Sequence, residues 1–244
     1  MPRYLVTAGP TREKIDEVRD WGNIFTGGTG LAIARALADA GDVDLLTSNR
    51  AHADQLRAHP DTPRPITPVP FTSHADLERT LDAALARTTY DAVFMTAAVA
   101  DYRPAGVFTV TSREVLSDGS ERWIVRPAQA SKVKSTHDTI AVLGARTEKL
   151  VDLFRTRWNH RGLLVKFKLE VGLTRDQLIK IGQASRKTSG ADYLIANTLD
   201  MVSGNDAGAF LLSDRGEEWV PRDTLPTRMR TLVQCYRAKP DTMS

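Results

Sequence analysis

The stretch that most constrains the fold is Tyr90-Asp91-Ala92-Val93-Phe94-Met95-Thr96-Ala97-Ala98-Val99-Ala100-Asp101-Tyr102-Arg103-Pro104. It is an apolar run that stops abruptly in small residues, one carboxylate and a proline. Its first half has no helical period and carries Val93 and Phe94, which fits a parallel strand covered on both faces. The second half then reads as a strand-end loop. In open α/β sheets ligands bind outside the carboxyl ends of strands, and small residues such as Ala97 and Ala98 let a ligand come close to the backbone. Asp101 stands at that mouth. An alternative reading carries the strand on through Ala-Ala-Val-Ala and makes residues 101–104 a turn.

The rest of the chain alternates in the same way. Strand-like runs at residues 4–8, 43–46, 163–167 and 192–197, with a weaker one around Ile66, are separated by helical segments. Helices are predicted over 31–40, closing at Gly41, and over 51–58. Others start after the N-caps Ser73 and Thr174, over about 147–158, and near Pro226 at the end of the chain. A polar connection is expected over residues 12–23. The alternation predicts an α/β fold: a Rossmann-like, doubly wound, mostly parallel sheet in three αβα layers, forming a single domain over residues 1–244. One segment breaks the series. Residues 107–110 and 121–125 are β-prone and flank Ser117-Asp118-Gly119-Ser120, so a β-hairpin excursion at about 107–126 is expected, as an edge or dimer contact. A second β-pair, 209–212 with 218–220, surrounds Asp214-Arg215-Gly216.

Composition excludes several classes of partner. The 33 basic and 30 acidic residues are well mixed and give a net charge of +3, which is no nucleic-acid signature. The N-terminus runs straight into a strand, with neither a leader-like apolar region nor a membrane-length stretch downstream, so a cytoplasmic protein without membrane partners is expected. The single cysteine, Cys235, cannot form an internal disulfide, and the five histidines show no metal-ligand spacing.

Two segments could carry chemistry. Thr26-Gly27-Gly28-Thr29-Gly30 leads into a helix, and backbone N–H groups at a helix N-terminus suit phosphate. It lies some way after the first strand, unlike a plain dinucleotide fingerprint, and lacks the Lys-Ser or Lys-Thr of a P-loop. Packing of helix on sheet is the structural alternative. A nicotinamide reductase is a rival reading, with Ser48-Asn49-Arg50 receiving a 2′-phosphate, but none of the five tyrosines is followed by a lysine four residues on. The basic connection Ser131-Lys132-Val133-Lys134-Ser135-Thr136-His137 could neutralise a triphosphate, or could simply be solvated.

Together these segments resemble the phosphopantothenate–cysteine ligases over nearly the whole chain, in a form without the flavin-dependent decarboxylase domain. The resemblance is carried by Thr7-Ala8-Gly9-Pro10-Thr11, by Val18-Arg19 with Asn23 and residues 27–30, and by residues 97–104. Lys132-Val133-Lys134, Phe167-Lys168-Leu169-Glu170 and Ala196-Asn197 complete it. It implies that 4′-phosphopantothenate and L-cysteine are joined in coenzyme A biosynthesis through an acyl-nucleotidylate, with release of pyrophosphate. Magnesium with ATP or CTP is implied, and no flavin.

By similarity, Gly9, Gly27 and Gly30 line the nucleotide phosphates, and Phe167 and Asn197 lie near base and ribose. Lys132 closes over the triphosphate with Lys134 and Lys168 as helpers, while Ala97, Ala98 and Asp101 hold phosphopantothenate, Asp101 also through the metal. Asn23 contacts the activated acyl group and Arg19 the substrate phosphate. In the family these two cross into the neighbouring subunit, so a homodimer is implied. The chain departs from the family's Asn-x-Ser-Ser-Gly at Asn23-Ile24-Phe25-Thr26-Gly27, where Phe25 replaces a hydroxyl. A third reading, a metabolite-binding module without catalysis, draws on that departure.

Overall fold

The computed structural model of the protein describes residues 1–58, 62–128, 132–204 and 207–237. Its first elements are β1 (Arg3–Ala8), β2 (Arg12–Lys14), β3 (Asp20–Gly22), α1 (Gly28–Leu37), β4 (Asp42–Thr47), α2 (Arg50–Ala58), β5 (Ile66–Pro70), α3 (His74–Arg87) and β6 (Ala92–Met95). Next come β7 (Tyr102–Val115), β8 (Glu121–Pro127), β9 (Ile140–Arg146), a 3-10 turn (Leu150–Asp152), α4 (Leu153–Thr156), β10 (Leu163–Glu170) and α5 (Arg175–Thr188). The last are β11 (Tyr193–Thr198), a 3-10 turn (Leu199–Val202), β12 (Gly208–Ser213), β13 (Gly216–Pro221) and α6 (Leu225–Arg237).

Eight strands form one sheet in the order β13-β12-β11-β10-β6-β1-β4-β5, with β12 alone running against the others. The chain moves outward from β1 through β4 to β5, then places β6 on the opposite side of β1 and continues through β10. Strand order therefore reverses between β1 and β6. The crevice beyond the carboxyl ends of those two strands is where an open α/β sheet binds ligands.

Strand residues are buried on both faces, as continuous apolar runs require. Val6, Ala8, Phe94 and Val165 pack with Ile33 and Leu37 of α1 and with Met229 and Val233 of α6. On the other face, Leu5, Val93 and Leu164 pack with Leu77 and Leu81 of α3 and with Phe154 of α4. Leu178 of α5 continues that layer over Leu194 and Leu212. The doubly wound αβα reading is thus borne out, and the 90–104 run ends its strand at Met95, leaving 96–101 as a loop.

Several local expectations are corrected. The polar connection over 12–23 is a short β2–β3 hairpin. Its strands carry no apolar period because they are held by polar contacts: the Arg12 N–H donates to the Thr72 carbonyl (2.8 Å) and buried Glu13 accepts the His74 N–H (2.6 Å). The helix expected over about 147–158 shrinks to a 3-10 turn and the four residues of α4. Leu150 and Phe154, four apart and buried, mimic a helical stripe, while Thr147 is spent on clamping a loop. Ahead of it, β9 pairs with β7, so the expected hairpin is a three-stranded sheet in the order β8-β7-β9. Helix α1 starts at Gly28 rather than 31 and ends at Leu37. Gly41 serves close packing, since a Cβ there would lie 2.5 Å from the Pro2 carbonyl oxygen.

Two buried polar groups mark the half of the sheet away from the crevice and its floor. Asp44, 2% exposed near the amino end of β4, accepts from the Tyr90 hydroxyl and from the Arg87 guanidinium (2.9 Å). Burial, together with Asp44, pushes the Tyr90 phenol up. Lys166, 7% exposed on β10, donates to the carbonyl (3.2 Å) and hydroxyl (3.1 Å) of Ser185. Burial, opposed by Asp152 and reinforced by Lys149 and Lys168, lowers its amine to about 8.

Replacing Asp44 by alanine strands the phenol and should cost about 3 kcal/mol in urea unfolding. Unchanged stability would remove the network's structural role. For Lys166 the unfolded amine titrates near 10.5 and the folded one near 8, so between those values the unfolded chain holds the extra proton and stability rises with pH. Lys166→Met should abolish that rise and raise stability at pH 7 by up to about 3 kcal/mol. Urea midpoints measured from pH 7 to 10.5 read both effects.

Candidate functional site

Two loops meet at the reversal between β1 and β6. The Thr7 hydroxyl accepts the Ala97 N–H (3.0 Å), and the Thr11 hydroxyl accepts the Ala100 N–H (2.8 Å). Backbone bonds join them as well, from Ala98 N–H to the Gly9 carbonyl (3.0 Å) and from Thr11 N–H to the Ala98 carbonyl (3.2 Å). Both threonines are fully buried, so their hydroxyls satisfy loop amides that would otherwise be orphaned. Thr147 closes the far side, its hydroxyl donating to the Ala100 carbonyl (2.6 Å) and its N–H to the Asp101 carbonyl (3.0 Å).

The third wall is the glycine loop. The β2–β3 hairpin is inserted between β1 and α1, which explains the long spacing in sequence, and the chain then returns to the end of β1. Gly27 caps α1 with φ +84°, and a Cβ on it would lie 2.4 Å from the Gly9 nitrogen. A Cβ on Gly30 would lie 2.5 Å from the Thr96 hydroxyl and 2.7 Å from the Ala8 Cβ. The first turn of α1 is thereby pressed onto the ends of β1 and β6, with its N–H groups facing the crevice and no acidic residue in that turn. Asn49 holds this loop, its amide donating to the Thr26 carbonyl (3.0 Å).

These walls enclose a cleft of about 280 Å³ that runs from Gly9 and residues 25–30, past Thr96, Ala97 and Ala98, to Phe167, Lys168 and Asn197. Its far end is formed by Met201, Val202, Arg222 and Leu225. Gly9, Gly27, Gly30, Ala97, Ala98, Phe167, Lys168 and Asn197 therefore line one cleft, and Phe25 joins them. Lys168 is paired with Glu170 (2.7 Å). Arg222 donates to the Val202 carbonyl, which places a cation at the end opposite the glycine loop.

Asn23 lies beside the cleft and its side-chain amide donates to the Ala98 carbonyl (3.1 Å) of the same chain. Asp101, Arg19, Lys132 and Lys134 do not line it. Asp101 is exposed, just past the Thr96–Ala100 turn. Arg19 pairs with Asp16 (2.9 Å) and donates to the Val133 carbonyl, while Lys132 and Lys134 are exposed on either side of Val133. Of the basic connection, Ser131 lies outside the described residues. Among the described residues no three His, Cys, Asp or Glu side chains converge on a metal site.

Sequence reasoning missed Asn49 as a loop anchor, Asp16, and the Met201 to Arg222 end of the cleft. The first two contribute single polar atoms to distant backbone. The third depends on β12 turning back, which brings the end of β13 beside the end of β11.

The description "DNA/pantothenate metabolism flavoprotein C-terminal domain" matches residues 2–113. The bifunctional coenzyme A biosynthesis protein CoaBC of Mycolicibacterium smegmatis is 30% identical over 240 residues, covering 95% of this chain and 51% of that protein. CoaBC of Thermococcus kodakarensis is 27% identical over 224 residues, covering 91% of this chain and 47% of that protein. The chain spans about half the length of the curated relatives it matches. The crystal structure of the DNA/pantothenate metabolism flavoprotein from Streptococcus pneumoniae superposes with a TM-score of 0.77 at 25% identity, covering 97% of this chain and all of that one. No helix among the described residues is long and apolar enough to cross a membrane. The resemblance read from the motifs is borne out: the chain is similar to the DNA/pantothenate metabolism flavoprotein C-terminal domain over residues 2–113, and over nearly its whole length to one half of the CoaBC proteins.

Proposed function

We propose that the cleft joins 4′-phosphopantothenate to L-cysteine at the expense of a nucleoside triphosphate. The observation that carries this reading is the meeting of the α1 N-terminus with the Thr96–Ala100 loop in one cleft. A phosphate seat at the glycine loop and a backbone-lined seat at Ala97 and Ala98 then share one cleft, with the Asn23 amide on the Ala98 carbonyl at its edge.

In this reading the triphosphate lies against the α1 N-terminus, where aligned N–H groups stabilise anionic oxygen. The substrate carboxylate oxygen attacks the α-phosphorus, the bond to the bridging oxygen breaks, and pyrophosphate leaves with that electron pair. The cysteine amine then attacks the acyl carbon, the nucleoside monophosphate departs with the C–O electron pair, and the amine proton passes to solvent. Bound magnesium supplies neutralisation of phosphate charge. Lys132 offsets the charge growing on pyrophosphate, and Lys134 and Lys168 add positive potential. Asn23 orients the acyl group, and Gly9, Gly27 and Gly30 allow the close backbone approach. Phe167 and Asn197 contact base and ribose, Arg19 the substrate phosphate, and Asp101 the pantothenoyl end. Little side-chain proton transfer is needed, so positioning supplies most of the rate. ATP is the preferred nucleotide in this reading, with CTP the alternative. Of Ser48, Asn49 and Arg50, which the reductase reading turns to a 2′-phosphate, Asn49 gives its amide to the Thr26 carbonyl.

A homodimer fits the β8-β7-β9 sheet, which exposes Trp123 and Val125, two apart on β8 and therefore on one face. Such an apolar face marks an interaction site.

Purified protein given phosphopantothenate, cysteine and magnesium, with ATP and CTP in separate reactions, should release pyrophosphate only when phosphopantothenate is present. Asn23→Asp and Lys132→Gln should each lower that rate by about 10²-fold or more without moving the thermal midpoint. Wild-type rates in both variants would refute the site assignment, and no release with either nucleotide from folded dimer would leave a binding module. Trp123→Glu should shift the protein to monomer in sedimentation velocity, and a dimer unchanged by it would place the interface elsewhere.

A further inference from the structure

Val133 is only 4% exposed although both its neighbours, Lys132 and Lys134, are exposed. A single carboxylate pins it. Asp16 Oδ2 accepts the Val133 N–H (3.1 Å) and pairs with the Arg19 guanidinium (2.9 Å), and that guanidinium donates in turn to the Val133 carbonyl. Both backbone groups of Val133 are thus held by the two ends of one ion pair. Among the described residues no other hydrogen bond joins residues 132–138 to the rest of the chain.

The other oxygen does a different job. Asp16 Oδ1 accepts the N–H groups of Val18 (2.9 Å) and Arg19 (2.7 Å) and so closes the turn between β2 and β3. The Asp16 side chain is 1% exposed. Burial opposes its ionisation, but hydrogen bonds from Val18, Val133 and Arg19 and the Arg19 charge outweigh it and hold the carboxyl below its ordinary range. The group therefore stays an acceptor throughout neutral pH.

We propose that Asp16 is a positioning residue for the basic loop: through Oδ2 it seats Val133, which holds Lys132 and Lys134 outward on either side, and it aims Arg19. This rests on the ligase reading for the task of Lys132, whereas the order of the loop does not. A loop seated beforehand presents its cations to an incoming triphosphate without a fresh loss of conformational freedom at every turnover.

The two oxygens permit a selective test. Asp16→Asn can keep an acceptor for the Val18 and Arg19 N–H groups but puts an amide NH₂, which accepts nothing, against the Val133 N–H and the guanidinium. Hydrogen exchange of the peptide containing the Val133 amide, and pyrophosphate release, are measured for wild type, Asp16→Asn, Lys132→Gln and the double variant. The expected result is an unchanged thermal midpoint, exchange at Val133 faster by at least about tenfold, kcat lower by at least about tenfold, and a double variant no slower than Lys132→Gln. Exchange at the wild-type rate, or losses that multiply in the double variant, would overturn the proposal. If the wild type releases no pyrophosphate, the ligase reading fails by itself, and Val133 exchange alone decides whether Asp16 holds the loop. Should Asp16→Asn not fold, Arg19→Gln is read by the same exchange measurement, with faster exchange expected and an unchanged rate refuting the seat.

Discussion

The site depends on one contact, the seating of the first turn of α1 against the backbone that leaves β1. Gly27 and Gly30 have no side chain because Gly9, Ala8 and Thr96 occupy the space one would need. That contact aims the helix N-terminus at the crevice and fixes the height of the crevice floor. It also forces the excursion between β1 and α1 to leave and return at the same place, so the β2–β3 hairpin stands beside the cleft and delivers Asn23 to its edge. Helix propensity alone would not start a helix at Gly28-Thr29-Gly30. Tertiary packing does, and the local cost of the glycines is offset by burial of Ile33, Ala34 and Leu37.

The opposing wall is built differently. Thr7 near the end of β1 and Thr11 just beyond it are buried polar residues, and each serves a loop amide some ninety residues away. The two strand-end loops continue the parallel pairing of β1 and β6 a little beyond the sheet, with Pro10 and Ala98 bridged. The cleft therefore has a polar backbone wall that needs no charged side chain.

How much of this was legible depended on whether the signal was local. The strands of the central sheet were legible because residues such as Leu5, Val93 and Leu164 are buried on both faces and leave unbroken apolar runs. The strand-end position of Ala97 and Ala98 followed from the same run. The β2–β3 hairpin was not, because its strands carry one buried residue each at most and that residue is Glu13. Nor was β9, whose half-exposed residues lack clean alternation and whose partner β7 lies about thirty residues back. Thr147 to Trp158 misled because Leu150 and Phe154 sit at helical spacing while Thr147 is extended by its contacts with Ala100 and Asp101. Within the site, residues that shape backbone were found through glycine and small-residue patterns. Those that act through one long-range bond, Asp16 and Asn49, left no pattern to find.

The packing of α6 has a consequence in the time domain. Leu225 borders the cleft, and Met229, Leu232 and Val233 complete the layer that buries Ile33 and Leu37 of α1. The helix whose first turn lines the cleft is thus covered by a segment synthesised nearly two hundred residues later. On a growing chain the glycine loop precedes the helix that covers it by that whole distance, so this wall of the cleft is finished only when α6 docks.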